Sequence, residues 1–567
     1  MSMRSVLVVL APLLIAASSP PDTVTYTIRP VFSGKALKAL HITTKFRASS
    51  SGRTRLRLPD TFGGVTRHWR YLSPISLAGG SLSAPRAAER VIRSAPNARL
   101  TVRYTVATAY PRDPDARGGN AYDGAAIRPD WFSSLGEFLF VIPEHRDTSA
   151  ASVRWANWPS GWITASTTAG HPFTVADVEE SNIVGGRDVQ VLERPIRGGT
   201  LHFISHGSFA WSLDDYATRL AAVISAERTF WNEADGDYMV TFLRLAPSSG
   251  VSSTGGTGRS HGFVQYASPD SAADVLFRTM AHEYTHNWIP NQVGEAPDDS
   301  HGAAAVFWFS EGFTDFYASR VLLRSGLWTP RQFVDELNRT LFRLTSSPAR
   351  LYPNERITKD FWADPDVQQL PYDRGRLFAF VLDYELRKAG KPGLDQVLFS
   401  MRDRWSASPA AAKPALAANL LSVLEAEVFD AQPLIDRYIT RGEPIELPHD
   451  LFGSCATIVT TAVPAFEPGF DAKASAKAGT FQGVDPAGPA YAAGLRNGMT
   501  RVARLSGDQD SRVQLTYRVR DGNSERVLSW LPAGRRRIEM QEVRLVRFNE
   551  PTSLSSCALR MVPLTRT

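Results

Sequence analysis

Cysteine is nearly missing from this chain: its 567 residues hold two, Cys455 and Cys557, both near the C-terminus. In an oxidising compartment such a pair closes a loop of about 100 residues, worth roughly 4–5 kcal/mol in the chain-entropy account. Two buried free thiols are the alternative, and the disulfide is the expectation. Long apolar runs are also scarce. Only the first residues approach one, with Met1–Arg4 as a short positive start, Ser5–Ala16 as an apolar core and small residues at Ala16–Ser19. That layout reads as a signal peptide over 1–19, with an uncleaved anchor as the alternative, because the core is short for a bilayer span. The mature chain is therefore expected to be periplasmic or secreted, with no stable membrane span once the signal is removed. Dense Lys/Arg runs are lacking too. The formal charge is +6, and Arg535-Arg536-Arg537 sits in a mixed stretch. A solvated basic surface explains this balance, and no nucleic-acid partner is expected.

What is present is an ordinary globular composition, 43% hydrophobic and 21% charged, over a length that suggests roughly two to four domains. From 22 to 212 the pattern is period-2: Val24, Tyr26 and Ile28 alternate with threonines, and Val102, Tyr104 and Val106 repeat the alternation. Frequent Gly and Pro turns make this an antiparallel β domain. Trp155, Trp158 and Trp162 are read as packing of sheet on sheet, a substrate groove being the alternative. Near Asp214 the spacing turns helical through Leu220, Val223, Ile224 and Trp231, opening a mainly helical domain over 213–450. Ser268-Pro269 predicts a helix start, a hydroxyl cap followed by proline, and Pro290 predicts an end at Ile289. The stretch 451–567 returns to short strands, with Asp521-Gly522-Asn523 as a hairpin turn. The fold class expected is multidomain α+β.

Inside the Ser268 helix stands His282-Glu283-Tyr284-Thr285-His286. Histidines four apart share one helical face, so both imidazoles reach one ion, and Glu283 projects beside it to take a proton from water. Catalytic zinc needs a third protein ligand and an open position. Downstream, Trp308-Phe309-Ser310-Glu311-Gly312-Phe313-Thr314-Asp315-Phe316-Tyr317 reads as one helix with an apolar stripe. A carboxylate in so apolar a segment needs a partner, and metal supplies one for Glu311. Asp315, one turn on, suits the free N–H of a ligand histidine.

These residues carry a resemblance. His282–His286 followed by Trp-Phe-Ser-Glu-Gly-Phe resembles the gluzincin metallopeptidases. The aromatic-rich β region and small C-terminal domain are similar to the glycyl-aminopeptidase family among them. The resemblance implies a thermolysin-like catalytic domain, one zinc ion, a peptide or protein substrate, and a PDZ-like domain over 451–567, where Asp485–Leu495 looks like its helix-opening segment. Tyr372-Asp373-Arg374-Gly375, leading into a helix at Arg376–Lys388, is similar to the family's Tyr-x-Lys-Gly. By that likeness Tyr372 donates to the oxyanion of the tetrahedral intermediate.

One segment departs from the pattern. Where family aminopeptidases carry Gly-Gly-x-Glu-His on an edge strand, this chain has Gly255-Gly256-Thr257-Gly258-Arg259. Glycine replaces the glutamate that binds the substrate's amine, and Arg259 stands beside it. Gly255, Gly256 and Arg259 are thus candidate substrate contacts, with exopeptidase selectivity altered or lost. A different class of function, a non-catalytic peptide-binding protein with a structural zinc, is the rival reading. Glu283 argues against it, since a structural metal has no use for a base.

Overall fold

The computed structural model describes residues 22–562, apart from 63–64, 84–86, 117–120, 235, 249–252, 298–299, 508 and 547–556. The segment read as a signal peptide lies outside the described residues. The chain forms two compact units, 1–113 with 122–189 and 114–121 with 190–567.

The first unit is built of sheets, as the alternating pattern requires. Val24, Tyr26 and Ile28 all point inward at 0% exposure, while the intervening threonines face outward. A five-stranded sheet runs in the order Ala151–Trp155, Val24–Ser33, Ala36–Arg47, Arg99–Ala107, Ser76–Ala78. Its pairings are antiparallel except one: Val24–Ile28 pair in parallel with Ala151–Trp155. Two four-stranded sheets complete the unit. Trp158 stacks on Phe132 at 5.1 Å and meets Trp155 and Trp162 at 5.9 and 5.3 Å. The tryptophans therefore pack on one another and on a strand residue, each only half-buried.

The second unit combines a mixed sheet with a helical body. The sheet order is Gln190–Ile196, Gly199–His206, Tyr238–Arg244, Gly262–Ala267, Thr254–Arg259, parallel in the middle and antiparallel at both edges. The strands 190–206 thus belong to the sheet of this unit. Beside it runs the helix Leu213–Trp231, begun by Ser212, whose hydroxyl accepts from the Asp215 N–H at 3.1 Å, and ended by Asn232 in the left-handed region. Its buried stripe, Tyr216, Leu220, Val223, Ile224 and Trp231, has the helical spacing read in the sequence.

Within the same unit, residues 466–530 enclose a small separate core around Phe481, Leu495, Tyr517 and Trp530. A three-stranded sheet, Thr500–Ser506, Leu515–Asp521 and Ser524–Trp530, covers it, and Asp521 pairs with Ser524 across the expected turn. Cys455 and Cys557, both buried, form a disulfide. Among the described residues no helix is long and apolar enough to cross a membrane.

Candidate metal centre

The helix carrying the two histidines spans Ala273–Thr285. It is shorter at both ends than the sequence predicts. Ser268 does not cap it; that hydroxyl accepts from the Ser253 N–H at 2.9 Å, tying the loop before the edge strand. At the other end the chain tightens into turns at Thr285, with the Trp288 and Ile289 N–H groups both bonding the Thr285 carbonyl at 3.0 and 3.1 Å. Ile289 precedes proline, which disfavours a helical backbone there. His286 consequently sits at the C-cap, one turn beyond His282 and on the same face.

Glu311 arrives from a second direction. The apolar segment is two helices rather than one, Ser300–Ser310 and Gly312–Arg324, and Glu311 stands at their junction. Backbone bonding nearly continues through it: its N–H bonds the Phe307 carbonyl, and the Asp315 N–H bonds its own carbonyl, each at 2.9 Å. Phe309, Phe313, Phe316 and Tyr317 are all at 0% exposure and fix both helices to the core.

The ligating atoms of His282, His286 and Glu311 lie within 4.8 Å of one another. The two Nε2 atoms are 3.1 Å apart, and Glu311 Oε2 lies 3.2 Å from the first and 3.5 Å from the second. Each Nδ1 is occupied on the far side. That of His282 is 2.8 Å from Asp315 Oδ1, and that of His286 is 2.7 Å from the Ile289 carbonyl oxygen. A carbonyl only accepts, so His286 donates from Nδ1 and keeps a lone pair on Nε2. Two imidazole nitrogens and a carboxylate oxygen thus converge on one point, which is the donor set of a catalytic zinc with a position left open.

Electrostatics agree with a cation at that point. Burial acts against charge on His282, yet Asp315 and Glu311 outweigh it and hold its pKa well above the usual imidazole value. Burial likewise opposes the charge on Glu311, but His286 and His282 press its pKa far below the carboxylate range. Asp315, despite its own burial, is brought down to about 2 by His282, with Arg376 and Arg278 behind it. A metal takes the place of the imidazole protons in such a site. Glu283 behaves oppositely: burial raises it, only partly offset by the two histidines, and Glu311 and Asp315 add repulsion. A carboxylate lifted in this way is a better proton acceptor than an ordinary glutamate.

Tyr372 lies in the first turn of the helix Leu370–Lys388, not ahead of it as the sequence suggests. Its ring stacks on that of His282 at 5.9 Å, and burial with the Glu311, Asp315 and Glu283 carboxylates raises its pKa well above the usual phenol value. It therefore stays protonated and able to donate. Behind it, Arg343 holds Asp373 by two hydrogen bonds of 2.6 and 3.2 Å. Glu336 accepts from Arg278 and Arg339, both at 2.5 Å, and Arg376 stands 3.6 Å from it. Sequence reading missed these supports. Partners as far apart as 278 and 336, or 343 and 373, leave no local pattern.

The glycine-rich segment is the edge strand Thr254–Arg259, where Gly256 opposes Gln265 and Gly258 opposes Phe263. Two of its glycines are crowded: a Cβ on Gly255 would lie 2.5 Å from the Tyr266 hydroxyl, and one on Gly256 2.4 Å from the Phe263 ring. Gly258 is different. A Cβ there meets nothing within 4 Å.

Residues 275–369 match the family model described as M61 glycyl aminopeptidase. Among solved structures, the chain is similar to an aminopeptidase N family protein from Idiomarina loihiensis at 15% identity and TM-score 0.65, covering 94% of this chain and 100% of that one. An M1 zinc metallopeptidase from Deinococcus radiodurans matches at 16% identity and TM-score 0.45, covering 75% of this chain and 94% of that one. No curated protein sequence matches the chain.

Proposed function

We propose that this chain, a gluzincin zinc metallopeptidase with one catalytic zinc ion, holds that ion through His282, His286 and Glu311 and hydrolyses peptide bonds with Glu283 as general base. The observation that carries the assignment is the convergence of the two Nε2 atoms and Glu311 Oε2 while each Nδ1 is tied elsewhere. When bound, zinc lowers the pKa of water toward about 7 and polarises the scissile carbonyl. Glu283 takes the proton of the attacking water and returns it to the leaving amine. Tyr372 donates its hydroxyl proton as a hydrogen bond to the developing oxyanion. Asp315 keeps His282 in the orientation and tautomer that aims Nε2 inward.

Gly258 stands where family aminopeptidases place the amine-binding glutamate, so the site lacks that charge-assisted contact to a substrate N-terminus. Arg259 at the same edge favours a carboxylate on the substrate instead. The enzyme is therefore read as one without strict dependence on a free N-terminus. Residues 451–567 are read as a PDZ-like module, supported by their own small core and three-stranded sheet. The Cys455–Cys557 disulfide supports an oxidising compartment, periplasmic or secreted.

Cleavage-site mapping on a mixed peptide library, with and without a chelator, tests this reading. Chelator-sensitive cuts in both free and N-acetylated peptides are expected. Cleavage that survives full zinc removal would sink the metallopeptidase mechanism, and strict dependence on a free amine would sink the selectivity reading alone.

A further inference from the structure

Trp362 is 58% exposed, and it is the only aromatic among the strongly exposed large apolar side chains of the described residues. It does not stand alone. Its ring meets Phe361 at 4.9 Å and Phe307 at 6.4 Å, and Phe307 meets Phe361 at 4.8 Å, all in tilted or edge-on contacts. Phe361 is 6% exposed and anchors the group to the core.

The chain links this trio to the metal centre at two points. Phe307 precedes Glu311 by one helical turn, and the Glu311 N–H bonds its carbonyl. Residues at that spacing share a helix face, with Cβ atoms about 6 Å apart. Trp362 occupies the turn between the helices Asn354–Asp360 and Pro365–Gln368, and the latter leads directly into the helix that carries Tyr372. The flanking carboxylates are engaged elsewhere. Asp360 pairs with Arg356 at 3.2 Å, Asp364 accepts from the Asp366 N–H at 3.0 Å, and Asp366 lies 3.8 Å from Lys473.

We propose that Trp362, with Phe307 and Phe361, forms a subsite for an apolar or aromatic side chain of the peptide substrate, close to the scissile bond. The proposal rests on the peptidase reading above and adds a substrate class to it. An extended peptide advances about 3.3 Å per residue, so the subsite is assigned to a side chain up to roughly three residues from the bond being cut. An indole facing water loses exposed apolar surface when such a side chain lies on it, which favours binding without any change in the chemistry.

The test uses the zinc-loaded full chain and peptides carrying Phe or Gly at one position at a time, up to three residues on either side of the cut. At one position the Phe peptide should be cut about tenfold more efficiently, through a lower KM. Trp362→Ala should bring that Phe-to-Gly ratio to about one, and Trp362→Phe should keep most of it. Trp362→Arg, also at this exposed turn, should move the preference at the same position from Phe toward Asp. An unchanged ratio in the Ala and Arg variants, or no Phe preference at any position, overturns the subsite while leaving peptidase activity standing. No hydrolysis of any peptide overturns the peptidase reading and the subsite together.

Discussion

Gly312 and Gly375 meet where the helix after Glu311 crosses the helix that carries Tyr372: a Cβ on Gly312 would lie 2.4 Å from the Gly375 Cα. A Cβ on Gly375 would lie 2.9 Å from the Gly312 Cα and only 1.8 Å from the carbonyl oxygen of Trp308, in the helix before Glu311. None of these distances admits a methyl group, so the two helices approach this closely only because both positions are glycine. The contact lies immediately after Glu311 and three residues after Tyr372, and it sets the spacing of these two side chains.

Gly375→Ala must therefore push its helix away from the chain on both sides of Glu311, at Trp308 and at Gly312. Overpacking of this kind costs about 1–3 kcal/mol, and a shift of about 1 Å at a positioned group costs up to about 100-fold in rate. Thermal unfolding and steady-state kinetics check it together: a lower Tm and a larger fall in kcat than rise in KM are expected. Unaltered kcat would show that the crossing does not position Tyr372.

Asp315→Asn should weaken zinc binding by about 10–100-fold, because the carboxylate that orients His282 from 2.8 Å is replaced by a neutral amide. Competition with a chromogenic chelator measures this directly. Equal affinity in both proteins would mean that His282 is oriented by other contacts.

Gly258→Glu is a gain-of-function prediction. Because no atom stands within 4 Å of a Cβ there, the edge strand accepts the side chain at its base. A carboxylate on a substrate ammonium is a charge-assisted hydrogen bond, so the preference for free over N-acetylated peptides should rise by about tenfold or more. A ratio that stays level would show that this position does not face the substrate's N-terminus.

Much of the candidate centre's geometry was legible because its information is local. Four-residue spacing puts His282 and His286 on one face, and the apolar neighbours of Glu311 made an unpartnered carboxylate there implausible. Element ends were less legible, because they depend on tertiary partners. Ser268 has the residue type of a helix cap, but its hydroxyl goes to the Ser253 N–H, and the helix begins at Ala273. Tyr372 follows a proline and reads as a turn, yet Pro371 sits in the first turn of a helix, where proline costs nothing. The parallel pairing of Val24–Ile28 with Ala151–Trp155 joins segments more than 100 residues apart, beyond anything a period-2 pattern encodes.

Glu227 supplies a pH prediction. It is fully buried, accepts from the Thr285 hydroxyl at 3.0 Å, and burial pushes its pKa up to about 8, with that hydrogen bond opposing. An unfolded-state glutamate titrates near 4.3, so between about pH 4 and 8 the folded chain holds a proton that the unfolded chain has released. Stability from this group is present at low pH and is lost as pH rises through the folded pKa, by on the order of a few kcal/mol. Glu227→Gln should flatten the fall in Tm between pH 5.5 and 8.5 relative to the parent. Parallel Tm curves for the two proteins would remove Glu227 as the cause.

The most direct test of the metallopeptidase account is Glu283→Gln, assayed for bound zinc and for peptide hydrolysis in the same preparation. One zinc per chain is expected, as in the parent, with kcat reduced by about 100- to 10,000-fold as a general base is lost. Hydrolysis at the parent's rate with zinc in place would contradict it.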